Sequence, residues 1–408
     1  MRYFHRQVLE WALSEEALRG RMAFIAGPRQ IGKTTAVERF LSSRGQRQLY
    51  YNWDTSTVRR RYAANPLFFV EDLPPEIPRP WVVLDEIHKY PKWKNLLKGY
   101  YDEWRRKIQF IVTGSARLDL FRRSGDSLVG RYFLYRMLPL GIREVAASSQ
   151  FPAEWSPEKE LESIPSAAPG AGAAVEKLVD LTGFPEPFAV GTRQFYNRWR
   201  ENYISLVLQE DLRDLTKITQ IQKLETLLYL LPERVGAPLS LNALRRPLET
   251  AYGSVRTWLD ALEMVYLVFS VPPWTLRLSR SVLKERKHYF WDWAMAADPG
   301  KRFENFIAVQ LQRAVAGWNE KGQGPFQLFY LRTKDGLEVD FAVADRGGVR
   351  LLVEAKESDV TLSKNLPFFR ERTGAKVAVQ VVRRKGFCLQ KGKGLYVMGA
   401  DRLLSLLP

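Results

Sequence analysis

Eight consecutive residues constrain this chain more than any other feature. Gly27-Pro28-Arg29-Gln30-Ile31-Gly32-Lys33-Thr34 follows directly on a short apolar run at residues 21–26. The run reads as a buried strand, and the octet matches G-x-x-x-x-G-K-[ST] in full. Glycine lets the backbone curl around a phosphate with its N–H groups pointing inward. Lys33 is placed to reach the β and γ phosphates and the Thr34 hydroxyl to ligate Mg²⁺. The helix that opens at Lys33 adds the positive end of its dipole. Gly27, Pro28, Arg29, Gln30, Ile31, Gly32, Lys33, Thr34 and Thr35 are therefore expected to bind ATP, with Mg²⁺, at the tip of a strand in a parallel α/β sheet.

Partners for that loop lie downstream. Trp81-Val82-Val83-Leu84-Asp85-Glu86 is an apolar strand ending in two carboxylates. Asp85 is expected to hold Mg²⁺ through water, and Glu86 to polarise the attacking water. The strand at 108–113 ends in Thr113-Gly114-Ser115, where Thr113 or Ser115 could sense a γ-phosphate. Arg117 and Arg131 follow, and either could serve as an arginine finger.

Taken in this order, the octet, Leu84-Asp85-Glu86-Ile87, Thr113-Gly114-Ser115, Gly130-Arg131 and Leu138-Pro139-Leu140 resemble the AAA-type ATPases of bacteria and archaea that carry a domain of unknown function, DUF4143. The resemblance implies a parallel sheet between helices and Glu86 as the hydrolytic base. It also implies a homo-oligomer in which a neighbour's arginine completes the site.

At 408 residues the chain suits two or three domains. No apolar run approaches the roughly 20 residues that span a bilayer. The first 19 residues mix charge with apolar side chains and do not read as a signal peptide. Cys388 is the only cysteine, which excludes an internal disulfide and a cysteine-based zinc site. His5, His88 and His288 are scattered without metal-ligand spacing. A cytoplasmic protein with no membrane segment is the expectation. The net charge of +17 favours a polyanionic partner, DNA before an anionic membrane surface.

The expected division is an ATPase domain over 1–145, a flexible linker over 146–173, a helical and winged-helix domain over 174–300 and an α/β C-terminal domain over 301–408. The linker is rich in Ala, Ser, Pro and Gly. Gly183-Phe184-Pro185-Glu186-Pro187 and the helical stretch after it are similar to the start of the DUF4143 region. Residues 222–293 read as three helices and a two-stranded wing. Arg256 and Thr257 on the third helix, and the basic group Arg277, Arg280, Lys284, Arg286 and Lys287 beside the wing, are candidate DNA contacts. Trp274 and Trp291, near that group, are candidates for base stacking.

In the C-terminal domain, Glu354 and Lys356 stand two apart on a strand and so share one face. A neighbouring strand can bring Asp340 beside them, and Glu304 from a preceding helix could complete a Mg²⁺ site. The order of elements resembles the PD-(D/E)xK nucleases, with Asp340, Glu354 and Lys356 at the motif positions. Three functions fit these features: a DNA-binding ATPase that remodels DNA at branched or end structures, an ATP-regulated nuclease, and a nucleotide-driven switch acting on a protein partner.

Overall fold

A computed structural model describes residues 3–114, 128–146, 166–216, 218–275 and 285–408. Ser115, Arg117, Arg277, Arg280 and Lys284, together with most of the expected linker, lie outside the described residues. The chain divides into two compact units, residues 5–138 and residues 1–4 with 139–408.

The first unit is built on strands β1 (Met22–Ala26), β2 (Tyr50–Asn52), β3 (Trp81–Asp85), β4 (Gln109–Thr113) and β5 (Tyr132–Arg136). They form one sheet in the order β2-β3-β4-β1-β5, and each neighbouring pair is parallel. β1, β3 and β4 are buried at every position. Continuous apolar runs, rather than alternating ones, are what a sheet covered on both faces requires. Helix α1 (Lys33–Ser42) follows β1, and α2 (Trp93–Trp104) precedes β4. The core is aromatic: Phe24, Trp53, Phe68, Phe69, Trp93, Tyr100 and Phe110 all belong to it. Parallel register aligns Ile25 and Asp85 with Thr113, so the ends of β1, β3 and β4 share one edge.

In the second unit, helix α3 (Ala171–Asp180) begins inside the segment expected to be linker. Its small residues pack closely: a Cβ on Gly172 would meet the Lys385 side chain at 2.6 Å. Helix α4 (Arg193–Leu206) follows, then α5 (Ile221–Leu230), α6 (Leu241–Arg245) and α7 (Tyr252–Met264). Strands β6 (Val268–Val271) and β7 (Lys287–Phe290) pair antiparallel, with Val271 opposite Lys287.

The long helix α8 (Pro299–Glu320) is capped by Asp298, which accepts from the Lys301 N–H at 2.8 Å. It packs on a six-stranded sheet of β8 (Gln327–Arg332), β9 (Glu338–Asp345), β10 (Gly348–Lys356), β11 (Val377–Val382), β12 (Cys388–Gly392) and β13 (Leu395–Gly399). The order is β12-β13-β11-β10-β9-β8. β10, β11 and β13 run parallel, while β8–β9, β9–β10 and β12–β13 are antiparallel. The chain leaving β6 continues along β8: Tyr330 donates its N–H to Pro272 at 3.0 Å and accepts from Trp274 at 2.7 Å. The hairpin is thus sewn to the C-terminal sheet, and residues 139–408 form one body rather than two.

Candidate nucleotide site and a buried ion cluster

The loop at 27–34 occupies the strand-tip edge of the first sheet. Gly27 has φ +150, and a Cβ there would strike the Met137 carbonyl oxygen at 2.1 Å, so only glycine fits. Gly32, at φ 92, caps α1. Lys33 is buried, and its ammonium donates to the Gly27 and Pro28 carbonyls at 2.9 and 2.8 Å, inside the curve of the loop. The Ile31 side chain is buried and anchors the loop from below. The buried guanidinium of Arg6 ties the loop from outside, donating to the Ile31 carbonyl at 3.0 Å and to that of Leu138. Arg6 escaped the sequence reading, since nothing local marks it.

Asp85 gathers three hydroxyl donors. Thr34 donates to Oδ2 at 3.0 Å, Tyr50 donates to the same oxygen, and Thr113 donates to Oδ1. Thr113 is therefore committed to Asp85, as its place across the β3–β4 register dictates. Tyr50 was not among the expected residues. Glu86 is held in the left-handed region at φ 56, unusual for a non-glycine residue, and its N–H donates to the Thr113 carbonyl at 3.0 Å. Its carboxylate lies 3.4 Å from His88 Nε2 and 3.7 Å from Lys89, which also grips Asp54 at 2.6 Å. Burial, then the charge of Asp85, pushes the Glu86 carboxyl up to about 6. A Thr hydroxyl and a carboxylate 3.0 Å apart beside an anion-cradling loop fit Mg²⁺ and a nucleotide triphosphate, since Mg²⁺ takes few protein ligands and completes its shell with phosphate and water.

Arg131 is a correction. Its carbonyl accepts from the Met22 N–H, at the start of β1, and its side chain pairs with Asp102 at 2.9 Å. The loop leaves the other end of that strand, about 16 Å away for five residues. Arg131 cannot serve this chain's own phosphates.

In the second unit, Arg256 and Thr257 are exposed on α7, though the Thr257 hydroxyl donates back to the Gly253 carbonyl at 2.9 Å. Arg256 and Arg286 line a cavity of about 380 Å³ together with Asp260, Glu263 and Glu285, a face of mixed charge. Lys287 corrects the expected basic cluster: its side chain is 0% exposed and cannot touch a phosphate backbone. Trp291 packs against Phe269 with ring centres 4.6 Å apart and belongs to the core, while the half-buried Trp274 packs against it, 5.0 Å from Phe329.

The C-terminal carboxylates do converge. Glu354 lies one step beyond the Val353–Phe341 pair, across from Asp340. Asp340 Oδ2 accepts from the Ala355 N–H at 2.9 Å, and Lys356 pairs with Glu354 at 2.9 Å. Glu304 reaches in from α8 and accepts from Tyr289 at 2.7 Å. Glu338, not foreseen, joins them from the start of β9. Burial, then the Asp340 charge, pushes Glu304 and Glu354 each up to about 7. The unexpected member is Lys287, whose ammonium stands among Glu338, Asp340 and Glu304. Among the described residues, no group of three or more His, Cys, Asp or Glu is spaced to hold a metal ion.

Comparison with known proteins divides the chain by region. Residues 19–146 match the model of an AAA domain, residues 174–298 that of a domain of unknown function, DUF8612, and residues 299–402 that of DUF4143. This chain joins an AAA-type domain to a DUF4143 domain. The Gly183–Pro187 region, expected to open DUF4143, falls instead within the DUF8612 match. Uncharacterized proteins of Mycobacterium bovis (Mb2031c) and Mycobacterium tuberculosis (Rv2008c) are each 24% identical over 340 residues, covering 80% of this chain and 68% of the relative. A structure of Thermococcus gammatolerans McrB AAA+ hexamers with bound McrC aligns at 14% identity and TM-score 0.20. That alignment covers 42% of this chain and spans 46% of the other, too slight a likeness to extend that assembly here. No helix among the described residues is long and apolar enough to cross a membrane.

Proposed function

We propose that this AAA-type domain hydrolyses ATP with Mg²⁺ and that the chain couples hydrolysis to binding or remodelling DNA. The observation that carries the first half is the Thr34–Asp85 contact at 3.0 Å beside the Lys33 loop. Mg²⁺, when bound, would supply positive charge against the charge that grows on the phosphates. Thr34 and Asp85 would hold it, with Tyr50 and Thr113 fixing the carboxylate. Lys33 exchanges two backbone carbonyls for phosphate oxygens. Glu86, ionised above about pH 6, accepts a hydrogen bond from the attacking water and orients it. Arg131, paired with Asp102 at the far end of the sheet, supplies no finger to this site, and the arginine that completes it is expected from a neighbouring subunit of an oligomer. Light scattering with and without nucleotide tests that.

The DNA half rests on the net charge of +17 and on the three-helix-and-hairpin order of α5 to β7, which we read as a winged helix. ATP hydrolysis should be measured without DNA and with duplex, single-stranded and four-way-junction DNA at two salt concentrations, with Lys33→Ala as the blank. Stimulation by one form, lost at high salt, supports the proposal. Hydrolysis indifferent to every DNA overturns it. A second reading, a nucleotide-driven switch acting on a protein, is favoured by one observation: three carboxylates share the Arg256 face. One stoichiometric partner that survives nuclease treatment would favour it.

A further inference from the structure

The carboxylates of β9, β10 and α8 have the residue types of a divalent-cation site, yet an ammonium group already stands at their centre. Lys287 Nζ lies 2.6 Å from Glu338 Oε1, 3.4 Å from Asp340 Oδ1 and 3.5 Å from Glu304 Oε1, with no side-chain exposure. A Mg²⁺ ligated by Asp340 and Glu304 at about 2.1 Å would be pressed against that ammonium. In a water-poor pocket such a like-charge contact is weakly screened. The lysine has little room to withdraw. Its backbone is paired with Val271 on one side and bridged to Pro238 on the other, and its head lies 5.5 Å from the Tyr330 ring centre. The chain beside it also lies close against Glu304: a Cβ on Gly236 would meet Glu304 Oε2 at 2.4 Å.

We infer that Lys287 is the resident cation of this site, standing where a nuclease of this residue pattern holds its metal. The cluster is then an ion-pair clasp that fastens the β6–β7 hairpin to the edge of the C-terminal sheet. The DUF4143 domain then performs no metal-dependent cleavage of nucleic acid. Nothing in this inference depends on ATP hydrolysis, so it stands or falls apart from the activity proposed above.

Glu354 supplies the reporter. Its Oε2 is buried and has no hydrogen-bond partner among the described residues, so a metal in this site would ligate it. The experiment is a Mn²⁺ titration of the full chain, followed by electron paramagnetic resonance without nucleotide. Wild type and Glu354→Gln should bind the same number of Mn²⁺ ions. Lys287→Met should gain one Mn²⁺ with at least about tenfold tighter binding than wild type shows there, and Lys287→Met/Glu354→Gln should lose it again. One Mn²⁺ more on wild type than on Glu354→Gln overturns the inference, as does a folded Lys287→Met that gains none. Where Lys287→Met does not fold, wild type against Glu354→Gln decides alone.

Discussion

The two carboxylate sites use similar residues to opposite ends. In the AAA-type domain, Asp85 accepts from three neutral donors among the described residues: the hydroxyls of Thr34, Tyr50 and Thr113. The nearby ammonium of Lys33 donates to two backbone carbonyls. Neutral donors and acceptors are exchanged at small net cost, so both groups stay available to a cation and an anion from outside. In the C-terminal domain a full buried charge, Lys287, stands among Glu304, Glu338 and Asp340. Whether carboxylates on strands make a metal site depends less on their spacing than on what already balances them.

The sharpest test of the first half is Glu86→Gln. It should leave ATP binding intact and slow hydrolysis by about 10²–10⁴-fold, with bound radiolabelled ATP and single-turnover rates as the two readouts. Equal rates would remove Glu86 as base and leave the site a binding module. The matching test of the other half is Lys287→Met. Removing one partner of a buried ion pair costs about 3–5 kcal/mol, so thermal unfolding should occur several degrees lower. An unchanged midpoint would mean that Lys287 contributes no net stability where it stands.

What the sequence revealed follows the same division. The octet and the Asp85-Glu86 strand end were legible because each is local: apolar runs set the strands, and glycines set the loop. Tyr50 reaches Asp85 only because β2 pairs in parallel with β3, and Arg6 meets Ile31 across 25 residues. No local pattern announces either contact. Lys287 was misread because it closes a run of basic residues. Strand alternation was the available signal. On β7, Lys287 and Tyr289 point inward and both contact Glu304, whereas Arg286, just before the strand, is exposed. Asp340, Glu304 and Glu354 were legible together, whereas Glu338 and the lysine that stands among them were not, since Lys287 arrives from another part of the chain.

Tyr50→Phe probes the hydroxyl shell that distinguishes Asp85. The ring stays and only the donor goes, so folding should be undisturbed. Groups that orient a metal-binding carboxylate commonly contribute about 10–100-fold in affinity. Asp85 keeps Thr34 and Thr113, so the expected loss lies near the low end, about tenfold in the Mg²⁺ concentration for half-maximal hydrolysis. A fall in maximal rate with unchanged Mg²⁺ dependence would instead place Tyr50 beside the nucleotide.

The smallest effect is in pH, and its sign separates the sites again. Glu304 and Glu354 titrate near 7 in the fold, above the ordinary carboxylate range, because burial and the Asp340 charge oppose ionisation. The folded state therefore holds protons that the unfolded chain has released, and stability falls as pH rises from about 4.5 to about 7. Unfolding midpoints of wild type should decline across that window, and Glu304→Gln/Glu354→Gln should flatten the decline. Hydrolysis should move the other way. Glu86 must be ionised to accept from water, so the rate should climb through about pH 6 and then level. A buffer near pH 5 would thus steady the C-terminal cluster while silencing the AAA-type site. Midpoints that rise through this range would contradict the raised titration of Glu304 and Glu354, and a rate flat through about pH 6 would contradict Glu86 as the ionised base.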